Sequence, residues 1–407
     1  MLADKYYRWV VVLYTLVIQA VIFGILIYCF ALFSLPWLDE FDASRRDVMI
    51  TISCLQLGMG VFGPLVGRAL DQFAIRNIAL LGSVSLGLGL WLVQHVTALW
   101  QLWLIYSTLL PMATAMMGTL TSQTLVAKWF ADQRGLALGL SAMGTNVGGM
   151  IFPLLVAGSL IELGWRDTFA QLSILSLVVV MPLTWLVLRR EPPKQKPAEA
   201  GDLAAAAAQR IWTAREILST SLFWLPFLCL VPLSMSFGAL QFNLGGFASD
   251  VGLSGDAIAV LVTVSSFSMI VGKLFFGSLG DRLDHRYLFW IANGFAVIAL
   301  LGMMFADSYV SLLAAVVCMG LSGGGILPLM GVIFGARFGA ASFGRVMGLV
   351  MLNVTFGAMA PVIAGWVYDV WGSYDIALWG MLALVVPAVL AMVRLPAPVA
   401  SAPVQTT

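Results

Sequence analysis

Apolar residues run through this chain in long blocks, parted by short charged or turn-forming stretches. A helix that crosses a bilayer needs about 20 mostly apolar residues. By that rule the pattern predicts twelve spans, at about 9–37, 48–69, 77–96, 101–127, 135–161, 168–188, 217–248, 257–279, 287–306, 309–336, 344–368 and 376–394. The third and fourth are the hardest to part, since no Asp, Glu, Lys or Arg occurs from Asn77 to Ala127. "QHVTALW" divides them, because His95 and the flanking Trp91, Trp100 and Trp103 suit a membrane–water interface. The first run, Trp9 to Leu38, follows Lys5 and Arg8 as a signal peptide would. It is longer than an h-region of about 7–15 residues and reads as a retained span.

The one long polar insertion, "RREPPKQKPAEAGDLAAAAAQR", has the Pro, charge and poly-Ala content of a linker. It divides the chain into a six-span half at 1–190, a cytoplasmic linker at 191–215, a second six-span half at 216–394 and a disordered tail at 395–407. With the N-terminus in the cytoplasm, only Arg45, Arg46 and Arg166 of the 21 basic residues face outward. The positive-inside rule therefore puts both termini in the cytoplasm, at the inner or plasma membrane.

Composition agrees: 61% of residues are hydrophobic and 10% charged, which no water-soluble surface accommodates. The chain reads as an all-α integral membrane protein whose main surroundings are the lipid bilayer. A net charge of +1 with no basic block leaves no footprint for nucleic acid. Cys29, Cys54, Cys229 and Cys318 lie in apolar runs without a C-x-x-C pair or a nearby His. No metal or cofactor is expected.

The chain also repeats itself. "GRALDQFAIR" aligns with "GSLGDRLDHR" at a shift of 210, pairing Gly67 with Gly277, Asp71 with Asp281 and Arg76 with Arg286. "RGLALG" from Arg134 aligns with "FGRVMG" from Phe343 at a shift of 209. Two matches at nearly one shift argue for a duplicated six-helix unit. Glycines at helix ends allow close packing. Asp71 and Asp281 sit where a carboxylate meets Arg76, Arg282, Arg286 or a helix N-terminus. Such contacts would hold the halves together on the cytoplasmic side in one conformation and part in another.

The duplicated Gly-x-Leu-x-Asp-Arg loop, with twelve spans in two halves, resembles the major facilitator superfamily over nearly the whole chain. The first copy departs from the pattern with Ala69 for Leu, Gln72 for Arg and Ala74 for Gly; the second keeps Gly277, Leu279, Asp281 and Arg282. "FDASRRDV" and the W-F-x-x-x-R-G-x-A-x-G run are similar to the monocarboxylate porter group, which includes oxalate/formate-type antiporters. That run is carried here by Trp129, Phe130, Arg134, Gly135, Ala137 and Gly139. The resemblance implies two pseudo-symmetric six-helix halves around a central cavity, and a cation four positions before the second loop's glycine that binds a substrate carboxylate. Here that position is Lys273, and the sixteen residues before it carry no charge.

An ionised side chain within a span costs about 2.5–3.5 kcal/mol on insertion scales, tolerable if it faces a wet cavity and meets an anion. The competing reading is a lysine that snorkels toward the interface or pairs structurally, since Asp281 lies eight residues on, about 12 Å along a helix. Spans one, four, seven and ten line the cavity in the resembled fold, which nominates Tyr28, Thr121 and Asn243. Asn146 and Asn353, on spans five and eleven, suit packing. "GGG" at Gly323–Gly325, before Pro328, is a hinge or a site of close packing.

No Asp or Glu lies centrally in any span. A proton, if one is moved, would ride on the substrate or on Lys273; exchange against a counter-anion needs no relay. The expectation is a transporter of a small organic anion, a monocarboxylate, acting as a monomer by symport, antiport or facilitated diffusion, and not an enzyme. Drug or metabolite export on the same fold is one alternative, although span five reads "GTNVGGMIFP" and lacks the Gly-Pro-x-x-Gly-Gly of drug antiporters. A ligand-sensing receptor is another. An intramembrane hydrolase would need a nucleophile with a base, or a metal set, within a span; the two histidines, His95 and His285, lie near span ends and no H-E-x-x-H occurs.

Overall fold

The structure is a computed structural model that describes residues 2–130, 133–190, 212–280, 282–339 and 342–395. Asp281, the linker through residue 211, the tail from 396 and the side chains of Asp71 and Arg134 lie outside the described residues.

Among the described residues, eleven apolar stretches are long enough to cross a bilayer. They are α1 (Tyr6–Glu40), α2 (Arg45–Leu70), α3 (Ile75–Gln94), α4 (Leu99–Trp129), a 52-residue run Leu136–Val187, then α7 (Ser221–Phe242), α8 (Gly255–Leu279), α9 (His285–Met304), α10 (Tyr309–Phe338), α11 (Arg345–Trp371) and α12 (Asp375–Arg394). A straight helix of that run's length would be more than twice the ~30 Å hydrocarbon core. It breaks at Gly164, whose φ of 78° and ψ of 173° suit only glycine. Residues 136–163 form α5, parallel to α1, with Ser141 bonded to Gln19 and Gly148 against Ala20. Residues 165–187 form α6, which runs back: Arg166 meets Glu40 and Val187 meets Tyr7. The expected twelve spans are therefore present.

Small residues set how closely these helices approach. A Cβ at Gly144 or Gly148 would stand 2.2 or 2.0 Å from the carbonyl oxygens of Leu16 and Ala20. Four-residue spacing puts both glycines on one face of α5, so α1 docks with backbone against backbone. In the second half Gly320 and Gly324 do the same against Ser265 and Met269 of α8. Gly323 is filled by Phe237 and Gly325 by Phe276, and α10 continues helical through Pro328. In this conformation the glycine triplet serves close packing.

The halves meet along α2 with α11 and α5 with α8. At the end away from the termini they are locked. Arg45 pairs with Asp250, the Asp369 carboxylate accepts from the backbone N–H groups of Arg45 and Arg46, and Gly365 packs on the same α2 start. At the end that carries the termini they part: nothing lies within 4 Å of a Cβ built at Gly60, Gly63, Gly67, Gly139, Gly277 or Gly348.

Candidate functional site

Between the locked end and the open end, three spans bring polar side chains together. Lys273 lies on α8, six positions before its end at Leu279, and is half-buried. Its ammonium crosses to α5, where it donates to the side-chain oxygen of Asn146 and to Thr145 Oγ1 at 3.3 Å. Asn146, fully buried, donates from Nδ2 to the Tyr28 hydroxyl of α1 at 3.0 Å. That hydroxyl donates in turn to Met269 Sδ at 3.4 Å, one turn before Lys273. An ammonium has donors and no acceptor. Its presence fixes the Asn146 amide, oxygen toward Lys273 and nitrogen toward Tyr28.

Local structure aims each member. α1 is interrupted by a π turn at Gly24–Tyr28 before the helix resumes at Phe30. The wider turn rotates Tyr28 relative to a regular helix. Gly149 lies against the Tyr28 ring, and Gly144 and Gly148, flanking Asn146, hold α5 at the distance that lets the amide reach the hydroxyl. Along α8, Thr263 on the locked side of Lys273 donates to the Met150 carbonyl of α5 at 3.2 Å, whereas Gly277 on the other side faces open space. The cluster stands where the two halves begin to part. Among the described residues, the polar partners of Lys273 are neutral oxygens.

The other nominated residues fall elsewhere. Thr121 spends its hydroxyl on the Ala115 carbonyl at 3.0 Å, bridging the break in α4 at Gly118, and does not join the cluster. Asn243 donates to the Ala239 and Pro361 carbonyls and accepts from the Tyr374 hydroxyl at 3.3 Å, so it belongs to the locked end. Asn146, read from sequence as packing, is the residue that touches Lys273. Asn353 does pack, donating to the Phe227 carbonyl. Of the loop residues, Arg76 lies over the Trp185 ring at 5.3 Å and Arg286 bonds the Leu395 carbonyl, each within its own half. Arg282 is exposed. These side chains do not join the halves in this conformation.

The lock itself was not foreseen. Arg45 grips Asp250 at 2.6 and 3.1 Å, donates to the Tyr374 hydroxyl at 2.8 Å and lies 3.6 Å over the Tyr368 ring. Burial raises the Tyr374 phenol above the ordinary tyrosine value, against the pull of Arg45. The sequence signal was the pair of arginines in "FDASRRDV", outward against the charge bias.

Two six-helix halves, locked on one side of a central polar cluster and parted on the other, define a membrane transporter. The chain belongs to the major facilitator superfamily, whose family model matches residues 16–245 and again 226–407. Among curated relatives, the uncharacterized MFS-type transporter YhjX of Escherichia coli is 22% identical, with 86% of each chain covered. Monocarboxylate transporter 13 of Bos taurus is 25% identical over 91% of this chain and 85% of its own. Among solved structures, a bacterial homolog of the human lysosomal transporter Spinster, inward-facing and unoccupied, matches with a TM-score of 0.75 at 17% identity, covering 95% of this chain and 96% of that one.

Proposed function

We propose that this transporter carries a small organic anion with one carboxylate, and that Lys273 binds that carboxylate at the centre of an alternating-access cycle. The observation that carries the reading is a lysine within a span, on the boundary between the halves, whose described polar partners are uncharged. A cation placed there is stabilised most by an anion that comes and goes. Tyr28 shares the site through Asn146. The relatives named as monocarboxylate transporters support the same class.

Both termini lie in the cytoplasm on this reading, so the conformation described is open inward. The cytoplasmic side closes in the opposite state through the loop set Gly67, Asp71, Arg76, Arg134, Gly277, Asp281, Arg282 and Arg286. The monomer suffices, because the site lies within one chain. A coupled proton would travel on the substrate or on Lys273, and a counter-anion would use the same site.

Thermal unfolding of the purified protein, wild type beside Lys273→Gln, tests this across mono- and dicarboxylates, amino acids, sugars and cationic drugs. A ligand at a hundredfold excess over its dissociation constant stabilises the folded state by about 2.7 kcal/mol. Monocarboxylates should raise the wild-type midpoint and leave Lys273→Gln unmoved. Equal stabilisation of both proteins by sugars or cations would overturn the substrate class and return Lys273 to a structural role.

A further inference from the structure

We propose that Asn146 is a built-in stand-in for the substrate: its side-chain oxygen occupies the place on Lys273 that the carboxylate takes, so loading displaces Asn146 and unloading restores it. This rests on Lys273 being the anion's partner. Asn146 is then a positioning residue that also sets affinity.

The geometry is that of an internal ligand rather than of incidental packing. The Asn146 oxygen meets the ammonium from the opposite half of the molecule, on α5 against α8. The amide is aimed from behind, its nitrogen held by Tyr28 and that hydroxyl by Met269. Thr145 adds a second neutral oxygen to the ammonium and donates to the same amide oxygen at 3.2 Å. An ammonium carries three donors. Two are directed at these oxygens, and the partly buried lysine keeps one for an incoming group.

A carboxylate bears a full charge where an amide oxygen bears a partial one, and ionic hydrogen bonds are roughly twice as strong as neutral ones. Substrate therefore wins the exchange, while the amide keeps the empty carrier's charge from being stranded. The contact also ties the two halves, as the Thr263–Met150 bond does further toward the locked end. An internal competitor lowers apparent affinity by the fraction of protein it occupies.

Two substitutions at Asn146 should then act in opposite directions, which a packing residue would not produce. Asn146→Ala removes the competitor, and pyruvate, the probe, should bind about tenfold tighter. Asn146→Asp tethers a carboxylate to the ammonium. It should abolish pyruvate binding while raising the ligand-free melting midpoint, and the rise should vanish in Asn146→Asp/Lys273→Gln. Asn146→Ser, which keeps a polar group near Tyr28 but is too short to reach Lys273, repeats the first comparison if the alanine variant does not fold.

Calorimetric titration with pyruvate and ligand-free thermal unfolding of these proteins decide the matter. Weaker binding in both Asn146→Ala and Asn146→Ser, with Lys273→Gln still abolishing it, overturns the stand-in and leaves the anion site intact. An Asn146→Asp midpoint that does not depend on Lys273 also overturns it. No binding of pyruvate or any other carboxylate by the wild type overturns the substrate reading, and the stand-in with it, even if the ligand-free coupling is present.

Discussion

Replacing Arg45 with alanine should release the locked end. Its guanidinium holds Asp250 through two bonds, but that carboxylate is 34% exposed, so the pair contributes no more than about 1 kcal/mol. Stacking 3.6 Å over Tyr368 adds about 0.5–1 kcal/mol, and the 2.8 Å bond to the buried Tyr374 hydroxyl about 1 kcal/mol. These contacts share partners and do not add fully, which leaves about 2 kcal/mol in favour of the locked conformation. Losing it shifts the ratio of locked to released protein by about thirtyfold. The Asp369 bonds survive, because they run to the backbone N–H groups of Arg45 and Arg46 rather than to a side chain. Arg45→Lys keeps the charge and loses the fork and the stacked plane, so it should fall between the two. Nitroxide labels at Thr97 and Asp307, exposed in the loops before α4 and α10, report the separation of the halves by pulsed electron resonance once the four cysteines are replaced. A longer-distance population should appear in Arg45→Ala. A distribution identical to wild type in both folded variants would refute the idea that this contact holds the conformation.

Three further substitutions probe packing and site. Gly148→Val puts a branched side chain 2.0 Å from the Ala20 carbonyl and should lower the unfolding midpoint by the equivalent of at least about 1–3 kcal/mol; a wild-type midpoint would mean α1 and α5 do not dock as described. Gly277→Ala meets open space here and should leave the midpoint unchanged, yet slow pyruvate flux in vesicles by crowding the closed state of that end; unchanged flux would remove Gly277 from the gate. Thr121→Val, whose hydroxyl serves the Ala115 carbonyl, should cost stability of about 1 kcal/mol and leave pyruvate affinity within twofold; a larger loss of affinity would restore Thr121 to the site.

Period and charge bias carried the architecture because a bilayer imposes them on every residue of a span. Twelve spans and the break near Arg166 follow from that alone, and the two motif matches at shifts of 210 and 209 add the duplicated halves. Lys273 was legible for a related reason: a lone charge in an apolar run has to be explained by a partner. Asn146 was not, because an amide in a span is commonly interhelical glue and nothing local distinguishes this one from Asn353. What distinguishes it is the docking of Gly144 and Gly148 on α1, a contact between segments more than a hundred residues apart. Asn243 was nominated because its span belongs to the cavity-lining set of the resembled fold; in this conformation the end of that span turns the amide to Tyr374 and the lock. The gating arginines were sought on the side that is open here, and so the locking arginine on the other side went unnoticed.

The duplication shapes the backbone of the site and then is broken within it. Applying the same shifts, the counterpart of Lys273 is Gly63 on α2 and the counterpart of Asn146 is Thr355 on α11. Gly63 has nothing within 4 Å of where a side chain would begin, and Thr355 is exposed. The α5–α8 side of the boundary thus carries one cation, and the matching depth on α2–α11 carries none. An anion with a second carboxylate would have to leave that group facing uncharged walls, without the partner that offsets its lost hydration. Dicarboxylates of similar size should therefore bind at least about tenfold more weakly than monocarboxylates, about 1.4 kcal/mol. Competition of malonate and propionate against labelled pyruvate in proteoliposomes measures the ratio, with both acids ionised at the assay pH. Equal inhibition would mean that a second cation reaches the site in some conformation, and that a single charge at Lys273 does not set the valence of the substrate.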